Sequence, residues 1–249
     1  MDNVIKYCLR IADNSLILSH RLGAYSSNGP FLEEDLAITN VALDHIGLAE
    51  SMLNYVASIS EKNISGDDLA FKRPEQEYFN CQLVEQPNID FAYVMARQFF
   101  MDVFNVLFFT GLQSSKNEFL SGLAEKSLKE VTYHQRRSSE WMIRLGLGTE
   151  ESKDRIQKAT NNLWIYTDEL FEMDLIDLKM VDEGVGIHLA PLRQKWKSKV
   201  IEVLDRANLG TPNHLYVISG GRSGQHSEHM GHLLSEMQYL NSKYPDADW

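Results

Sequence analysis

One segment decides the fold class: residues 89 to 114, which read IDFAYVMARQFFMDVFNVLFFTGLQS. The segment contains no proline, and its phenylalanines and methionines recur on every side of a helical projection. A helix that is hydrophobic all round is usually buried. We therefore predict a central helix here. Two polar residues, Asp102 and Asn105, interrupt its most apolar part, Phe99 to Leu112.

Helical periodicity extends outward from this segment in both directions. The further helices are predicted at about residues 3–25, 32–59, 117–145, 150–171, 191–207 and 225–242. Residues 60–88 are predicted to be an irregular connection that packs on the body and hides a short helix, and residues 174–188 to be an irregular acidic stretch. Leu215 to Ile218 is the only β-like run. We predict an all-α, ferritin-like helical bundle of about seven helices, forming one domain over residues 1–249.

The composition excludes several classes of protein. With a formal net charge of −11, the chain is a poor partner for nucleic acid or an anionic membrane. Its hydrophobic content of 43% excludes general disorder. Cys8 and Cys81 are too few for a disulfide framework, and the start of the chain does not read as a secretory signal. We therefore expect a cytoplasmic protein that spans no membrane.

Polar residues on otherwise apolar helix faces are the candidates for function, because bundles build their sites from inward-facing side chains. The candidate positions are Asp44, Asp102, Asn105, Glu130, His134, Glu228 and His229. Glu130 and His134 are four residues apart and so share one helix face. A buried carboxylate without a partner is costly, so inward acids on several helices need an explanation.

Two interpretations of these positions compete. A carboxylate-bridged two-metal site takes a Glu from each of two helices and a Glu-x-x-His from each of two others. Asn105 stands where the His of such a motif would follow Asp102, and Gly231 stands where it would follow Glu228. The ligand set is therefore depleted, which favours a buried polar network with no catalytic residue and no metal. Adventitious metal binding by His134, His226 or His229 is the third possibility.

The loop Gly220-Gly221-Arg222-Ser223-Gly224 precedes the last predicted helix. Backbone N–H groups of such a loop can hold a phosphate. No strand precedes it, as a nucleotide-binding loop would require. We expect it to order the start of the helix without a catalytic role.

Several stretches resemble a known family. They are Leu9-Arg10-Ile11-Ala12-Asp13-Asn14, Leu83-Val84-Glu85-Gln86-Pro87-Asn88 followed by Asp90-Phe91-Ala92, Arg97-Gln98, Glu169-Leu170-Phe171, His226, Glu228-His229 and Glu236-Met237-Gln238-Tyr239-Leu240. Together they are similar to the C subunit of the bacterial phenylacetyl-CoA epoxidase (phenylacetate-CoA oxygenase), and the likeness covers the whole chain. The combination of Glu-Gln-Pro-Asn with Asp-Phe-Ala is its most specific part.

The resemblance implies a ferritin-like fold and a non-catalytic, structural role in phenylacetate catabolism. The family's complex converts phenylacetyl-CoA to its ring 1,2-epoxide, and the two irons belong to its homologous catalytic A subunit. A small B subunit and a reductase complete the system. Iron, NADPH, FAD and the iron–sulfur cluster are thus expected on partner subunits, and no cofactor on this one.

Two other functions stay open at this point. One is a di-iron oxygenase or ferritin-like oxidase in its own right, and the other is a helical binding module without any link to oxygenases. A homodimer or hetero-oligomer is expected, because the first two helices carry apolar residues on more than one face.

Overall fold

The structure is a computed structural model that describes residues 2–213, 216–245 and 247. Within these residues it contains α-helices and short 3₁₀ turns and no β-strand, so the prediction of an all-α helical bundle is confirmed. The backbone contacts divide the chain into two compact units. Unit 1 comprises Met1–Pro87 and Ser219–Trp249, and unit 2 comprises Asn88–Ile218. That the whole chain is a single domain stays a prediction.

Unit 1 is built on two long helices that pack along each other and are joined by a short turn. Its helices are α1 (Asp2–Gly23), α2 (Leu32–Ile59), α3 (Gly66–Phe71), α9 (Glu228–Met237) and α10 (Tyr239–Lys243). Its 3₁₀ turns are Glu75–Glu77, Gln82–Glu85 and Gly221–Ser223. Most of α1 is buried, including the apolar Leu16, Ile17 and Leu18. The bounds of α2 agree with the prediction.

Unit 2 is organised around the helix that the sequence predicts to be central. Its helices are α4 (Phe91–Leu112), α5 (Glu118–Gly146), α6 (Glu150–Trp164), α7 (Leu175–Asp182) and α8 (Ala190–Arg206), with a 3₁₀ turn at Asp168–Phe171. Helix α4 packs against α5, α6 and α8. Asp90 begins it by accepting a hydrogen bond from the backbone N–H of Tyr93 at 2.9 Å, as an N-cap residue does. Phe100 lies within 5.7 Å of both Trp164 and Trp196, measured between ring centroids.

Three short helices account for the difference between the seven helices predicted and the ten found in the described residues. Helix α3 is the short helix expected within residues 60–88, and Ser65 and Asp68 form a capping box at its start. The prediction of an irregular stretch at 174–188 is wrong, because α7 lies inside it. Asp174 caps α7 and Asp177 reaches back to the backbone N–H of Asp174 at 3.0 Å. These acids are therefore a helix start signal.

The other boundaries differ at helix ends. The predicted helix 150–171 ends at Trp164, where the hydroxyl of Thr167 donates to the carbonyl of Trp164 at 2.8 Å. The predicted helix 225–242 is divided into α9 and α10 at Gln238. The β-like run at 215–218 lies partly outside the described residues, and its described residues form no strand. None of the helices in the described part of the chain has the length and apolarity needed to cross a bilayer.

Candidate functional site

The carboxylate of Asp102 is the best-defined of the predicted positions. It lies in the middle of α4, fully buried among the aromatic side chains of that helix. One oxygen accepts a hydrogen bond from Nε2 of Gln98 at 2.6 Å. The other accepts from the hydroxyl of Ser138 on α5 at 2.7 Å. The carboxylate therefore links one turn of α4 to the neighbouring helix α5 through two neutral donors.

Burial raises the pKa of Asp102 to about 6. The charge of His134, the hydrogen bonds from Ser138 and Gln98 and the charge of Arg137 each offset part of this rise. Desolvation thus outweighs them, as expected for an acid in an apolar interior. Near pH 6 the site holds a carboxyl group in partly protonated form, which a neutral hydrogen-bonding network can accommodate.

The other predicted positions of unit 2 lie on the same two helices. Asn105 is buried on α4 and His134 is buried on α5. Glu130, one turn before His134, is only half-buried. The structure therefore brings Asp102 and His134 close enough to interact by charge, and it leaves Glu130 nearer to solvent than the predicted network requires.

The predicted positions of unit 1 are less buried than expected. Asp44 and His229 are half-buried, and Glu228 is exposed. Because α9 begins at Glu228 rather than at 225, this residue lies in the first turn, outside any buried group. The buried polar side chain of α2 is that of His45, next to Asp44. Helix α2 carries apolar residues all round, so periodicity alone did not fix which face is buried.

Helices α4 and α5 supply only part of the ligand set of a two-iron centre. Such a centre needs carboxylates and imidazoles whose ligand atoms point at a metal. Ligand atoms of Asp102 and His134 lie within 4.8 Å of each other. Both oxygens of Asp102 also accept hydrogen bonds from side-chain donors, and the amide of Asn105 stands where a further imidazole would be needed. The carboxylate of Asp102 thus forms a hydrogen-bonded junction between the two helices.

A second buried carboxylate, Glu85 in unit 1, was missed as a candidate. Its side chain is fully buried and accepts four hydrogen bonds. Asn80 Nδ2 and His226 Nδ1 lie 2.9 and 2.6 Å from one oxygen, and the backbone N–H and hydroxyl of Ser227 lie 2.8 and 2.6 Å from the other. The guanidinium of Arg21 on α1 donates to the backbone carbonyl of Glu85 at 2.9 Å. Glu85 thereby joins the 80–85 segment to the start of α9.

The ring of His226 lies between two acceptors. Its Nδ1 faces the Glu85 carboxylate and its Nε2 lies 3.0 Å from the carbonyl oxygen of Tyr78. A carbonyl can only accept, so both ring nitrogens carry a proton when both bonds form. Burial by itself lowers the pKa of His226, but the hydrogen bond and charge of Glu85 and the bond to Tyr78 outweigh it, and the pKa is raised. Both ring nitrogens of His226 are therefore engaged in hydrogen bonds.

A third buried ionic group also escaped the sequence reasoning. Arg73, which follows α3, is paired with Asp13 on α1, and both side chains are buried. Asp13 also accepts from the backbone N–H of Phe79 at 2.8 Å. The sequence feature that could have indicated this pair is Asp13, an acid within the apolar run of α1. Glu85 offered a weaker signal, since it lies in a segment without periodicity.

The loop from Gly220 to Gly224 packs against the 76–82 segment. A Cβ on Gly221 would lie 2.2 Å from the carbonyl oxygen of Asn80, and one on Gly224 would lie 2.3 Å from that of Gln76. Gly224 also has φ of +84°, which favours glycine. Close backbone contact thus explains these two glycines.

We expect Gly221→Ala to lower the thermal midpoint by several degrees, because the added methyl group would collide with the backbone at Asn80. Turnover of whatever complex assembles should not change. Gly122→Ala is the control: this α5 glycine is exposed with no atom within 4 Å of the added Cβ, so its stability should stay the same or rise. Differential scanning calorimetry measures both. A large loss of turnover at normal stability would instead favour a phosphate contact at the loop.

The described residues thus form an all-α helical protein with buried polar junctions in each of its two units. The family model of the phenylacetic acid catabolic proteins matches residues 1–249, and the chain belongs to this family. A relative is the C subunit of the 1,2-phenylacetyl-CoA epoxidase of Escherichia coli (strain K12). It is 41% identical over 249 residues, which cover 100% of both chains. The resemblance stated from the sequence is thereby confirmed.

Proposed function

We propose that this protein is a non-catalytic subunit of a phenylacetyl-CoA epoxidase complex, acting in phenylacetate catabolism. The full-length similarity to a relative named as the C subunit of that epoxidase supports membership of such a complex. The observation that carries the non-catalytic role is the state of Asp102. Both of its oxygens are held by Gln98 and Ser138, so the central acid of α4 serves the junction between helices.

In this proposal the residues of the protein hold structure rather than perform a reaction. Asp102 fixes α4 against α5, and Glu85 fixes the start of α9 against the 80–85 segment. The oxygen chemistry then falls to partners: a catalytic ferritin-like A subunit with iron, a small B subunit, and a reductase that carries FAD and an iron–sulfur cluster and takes electrons from NADPH. A cytoplasmic location stays a prediction, with which the free, buried Cys8 and Cys81 are compatible.

Metal analysis of the purified protein tests the non-catalytic role. We expect the isolated chain to contain far less than one iron per molecule and to show no epoxidation with phenylacetyl-CoA and a reductant. Co-expression with the catalytic subunit should give a stable complex whose iron stays with that subunit after separation. Stoichiometric iron in the isolated chain, lost in Asp102→Asn, would instead establish a metal-dependent oxidase.

A further inference from the structure

The outward side of α2 carries a stripe of mainly apolar residues, three of which are exposed leucines. Its members recur at helical spacing and share one face: Leu32, Leu36, Thr39, Leu43, Ile46 and Glu50, here called the α2 stripe. Leu32, Leu36 and Leu43 are 69%, 55% and 60% exposed. Three large exposed leucines on one face of a helix are typical of a contact surface rather than of scattered surface apolar residues.

A groove runs beside the α2 stripe, within unit 1. It has a volume of about 450 Å³ and is bounded by α1, α2 and α9. Leu43 and Ile46 form its border with the stripe, while Ser19, Gly23 and Ala42 are small residues in its wall. A groove lined by small side chains next to exposed leucines has room for a large side chain from a docked helix.

The charges of α2 indicate what kind of surface fits it. The helix carries five acidic residues and neither Lys nor Arg: Glu33, Glu34, Asp35, Asp44 and Glu50. The titratable side chains of the neighbouring groove are His20, Arg21 and Glu236, and burial lowers the pKa of His20, which favours its neutral form. Of these, Arg21 is already bound to the carbonyl oxygen of Glu85. The α2 stripe is therefore an apolar surface with an acidic border.

A second copy of the chain is a poor occupant for such a surface. Two α2 helices packed in parallel would bring Glu33 against Glu33 and Glu50 against Glu50. Packed antiparallel about Leu36 and Leu43, they would bring Asp35 against Asp44. Neither arrangement offers a cation from α2 to oppose these acids, and juxtaposed like charges oppose association.

We propose that the α2 stripe is the docking surface for a different protein subunit, whose contact surface is apolar and bordered by Lys and Arg. The inference rests on the proposed function in that it takes the chain to be one subunit of a hetero-oligomeric complex. It narrows the sequence prediction of a contact through the first two helices to α2, because α1 is largely buried. It adds the charge of the partner, which the sequence prediction did not specify.

The test measures binding of the purified chain to the catalytic subunit of the proposed complex by sedimentation velocity. We expect Leu36→Glu and Leu43→Glu each to raise the Kd at least about tenfold. Leu175→Glu is the control, because Leu175 is 84% exposed on α7 of unit 2 and should not affect binding. Circular dichroism establishes that each variant remains folded.

Ionic strength tests the charge of the partner separately. The double variant Glu33→Lys/Glu50→Lys should bind about tenfold or more weakly at low salt and approach the wild type at about 0.5 M salt, where such charges are screened, since the Debye length is about 4 Å. Unchanged binding of the double variant at low salt would overturn the inference that the contact surface of the partner is basic. Normal binding of both leucine variants would overturn the docking surface and leave the proposed function standing.

The occupant is tested by a single cysteine. Asn40 is exposed beside the stripe, and Cys8 and Cys81 are buried, so Asn40→Cys introduces an accessible thiol. We expect the isolated variant to stay a monomer under mild oxidation. A disulfide-linked α2–α2 dimer would show that a second copy is the occupant, if adding Leu36→Glu to Asn40→Cys prevents its formation. This result would overturn the inference. Failure of the wild-type chain to bind the catalytic subunit would instead overturn the proposed function and, with it, this inference.

Discussion

Glu85→Gln is expected to destabilise unit 1 by about 3 kcal/mol or more, although the substitution changes the shape of the side chain little. The Glu85 carboxylate faces four donors, two on each oxygen. An amide offers one acceptor atom and places an NH₂ group against the donors of the other side. Either the Ser227 backbone N–H or the His226 ring then loses its acceptor, and the imidazolium loses its counter-charge.

Thermal unfolding measures this loss, which corresponds to roughly 6 to 12 °C in Tm for a chain of this length. Glu61→Gln is the matched control, because Glu61 is exposed in the same unit and the same exchange should be nearly neutral there. A Glu85→Gln protein as stable as the wild type would contradict the four-donor arrangement. Hydrogen exchange should also show earlier opening of α9, whose start Glu85 holds in place.

Asp102→Asn is expected to stabilise the protein at neutral pH, although Asp102 is just as buried as Glu85. The amide oxygen can accept from Gln98, and the amide NH₂ can donate to the hydroxyl oxygen of Ser138. The Ser138 hydroxyl can then donate to the carbonyl of Gln135, from which it lies 3.3 Å. Hydrogen bonding is preserved and a buried negative charge is removed. The same exchange of acid for amide is therefore expected to destabilise the protein at Glu85 and to stabilise it at Asp102.

The pKa of Asp102 determines the direction and the size of the expected change in stability with pH. The pKa of Asp102 is raised to about 6 in the folded protein from its ordinary value of 3.8. The folded state thus binds more protons than the unfolded state between these values, and stability falls as pH rises through the window. The loss is complete above the folded pKa and amounts to about 3 kcal/mol. Asp102→Asn has no carboxyl group at this position and does not lose this stability. The difference in the free energy of unfolding between Asp102→Asn and the wild type should therefore grow in favour of the variant from about pH 4 to about pH 7.5.

Chemical denaturation at several pH values tests the prediction, with Asp154→Asn as the control because Asp154 is exposed on α6. Asp102→Leu should be less stable than Asp102→Asn by roughly 1 to 3 kcal/mol, since it leaves the Gln98 amide without this acceptor. A stability difference between Asp102→Asn and the wild type that does not change with pH would contradict the account of the buried carboxyl group.

Residues on regular, strongly patterned helices were predictable. Helix α4 has apolar residues on all sides, which indicated that it is central, and the same pattern marked Asp102 as an inward acid. Its partner Gln98 lies one turn before it, at a spacing that could have been recognised. The partner on α5, Ser138, follows His134 by one turn on the same face. The sequence therefore contained both halves of this junction, though not their pairing.

The remaining features depend on tertiary contacts that periodicity does not encode. Glu85 lies in a segment of turns, and only the return of the chain at His226 and Ser227 makes it a buried centre. Asp174 and Asp177 lie in a stretch that the sequence analysis predicts to be irregular, although their spacing of three residues is that of a capping box. Glu228 is predicted to face inward, but it lies in the first turn of α9 and its side chain is exposed.

The most direct test of the central claim, that this subunit does not itself catalyse epoxidation, is turnover in the assembled complex. The double variant Asp102→Asn/His134→Asn changes two buried titratable side chains, one on α4 and one on α5, that interact by charge. After reconstitution with the catalytic, small and reductase subunits, we measure iron content and phenylacetyl-CoA epoxidation per mole of intact complex. The account predicts that both values equal those of the wild type, even where the yield of complex falls. A loss of iron from the complex together with a loss of turnover of about 100-fold or more would contradict it.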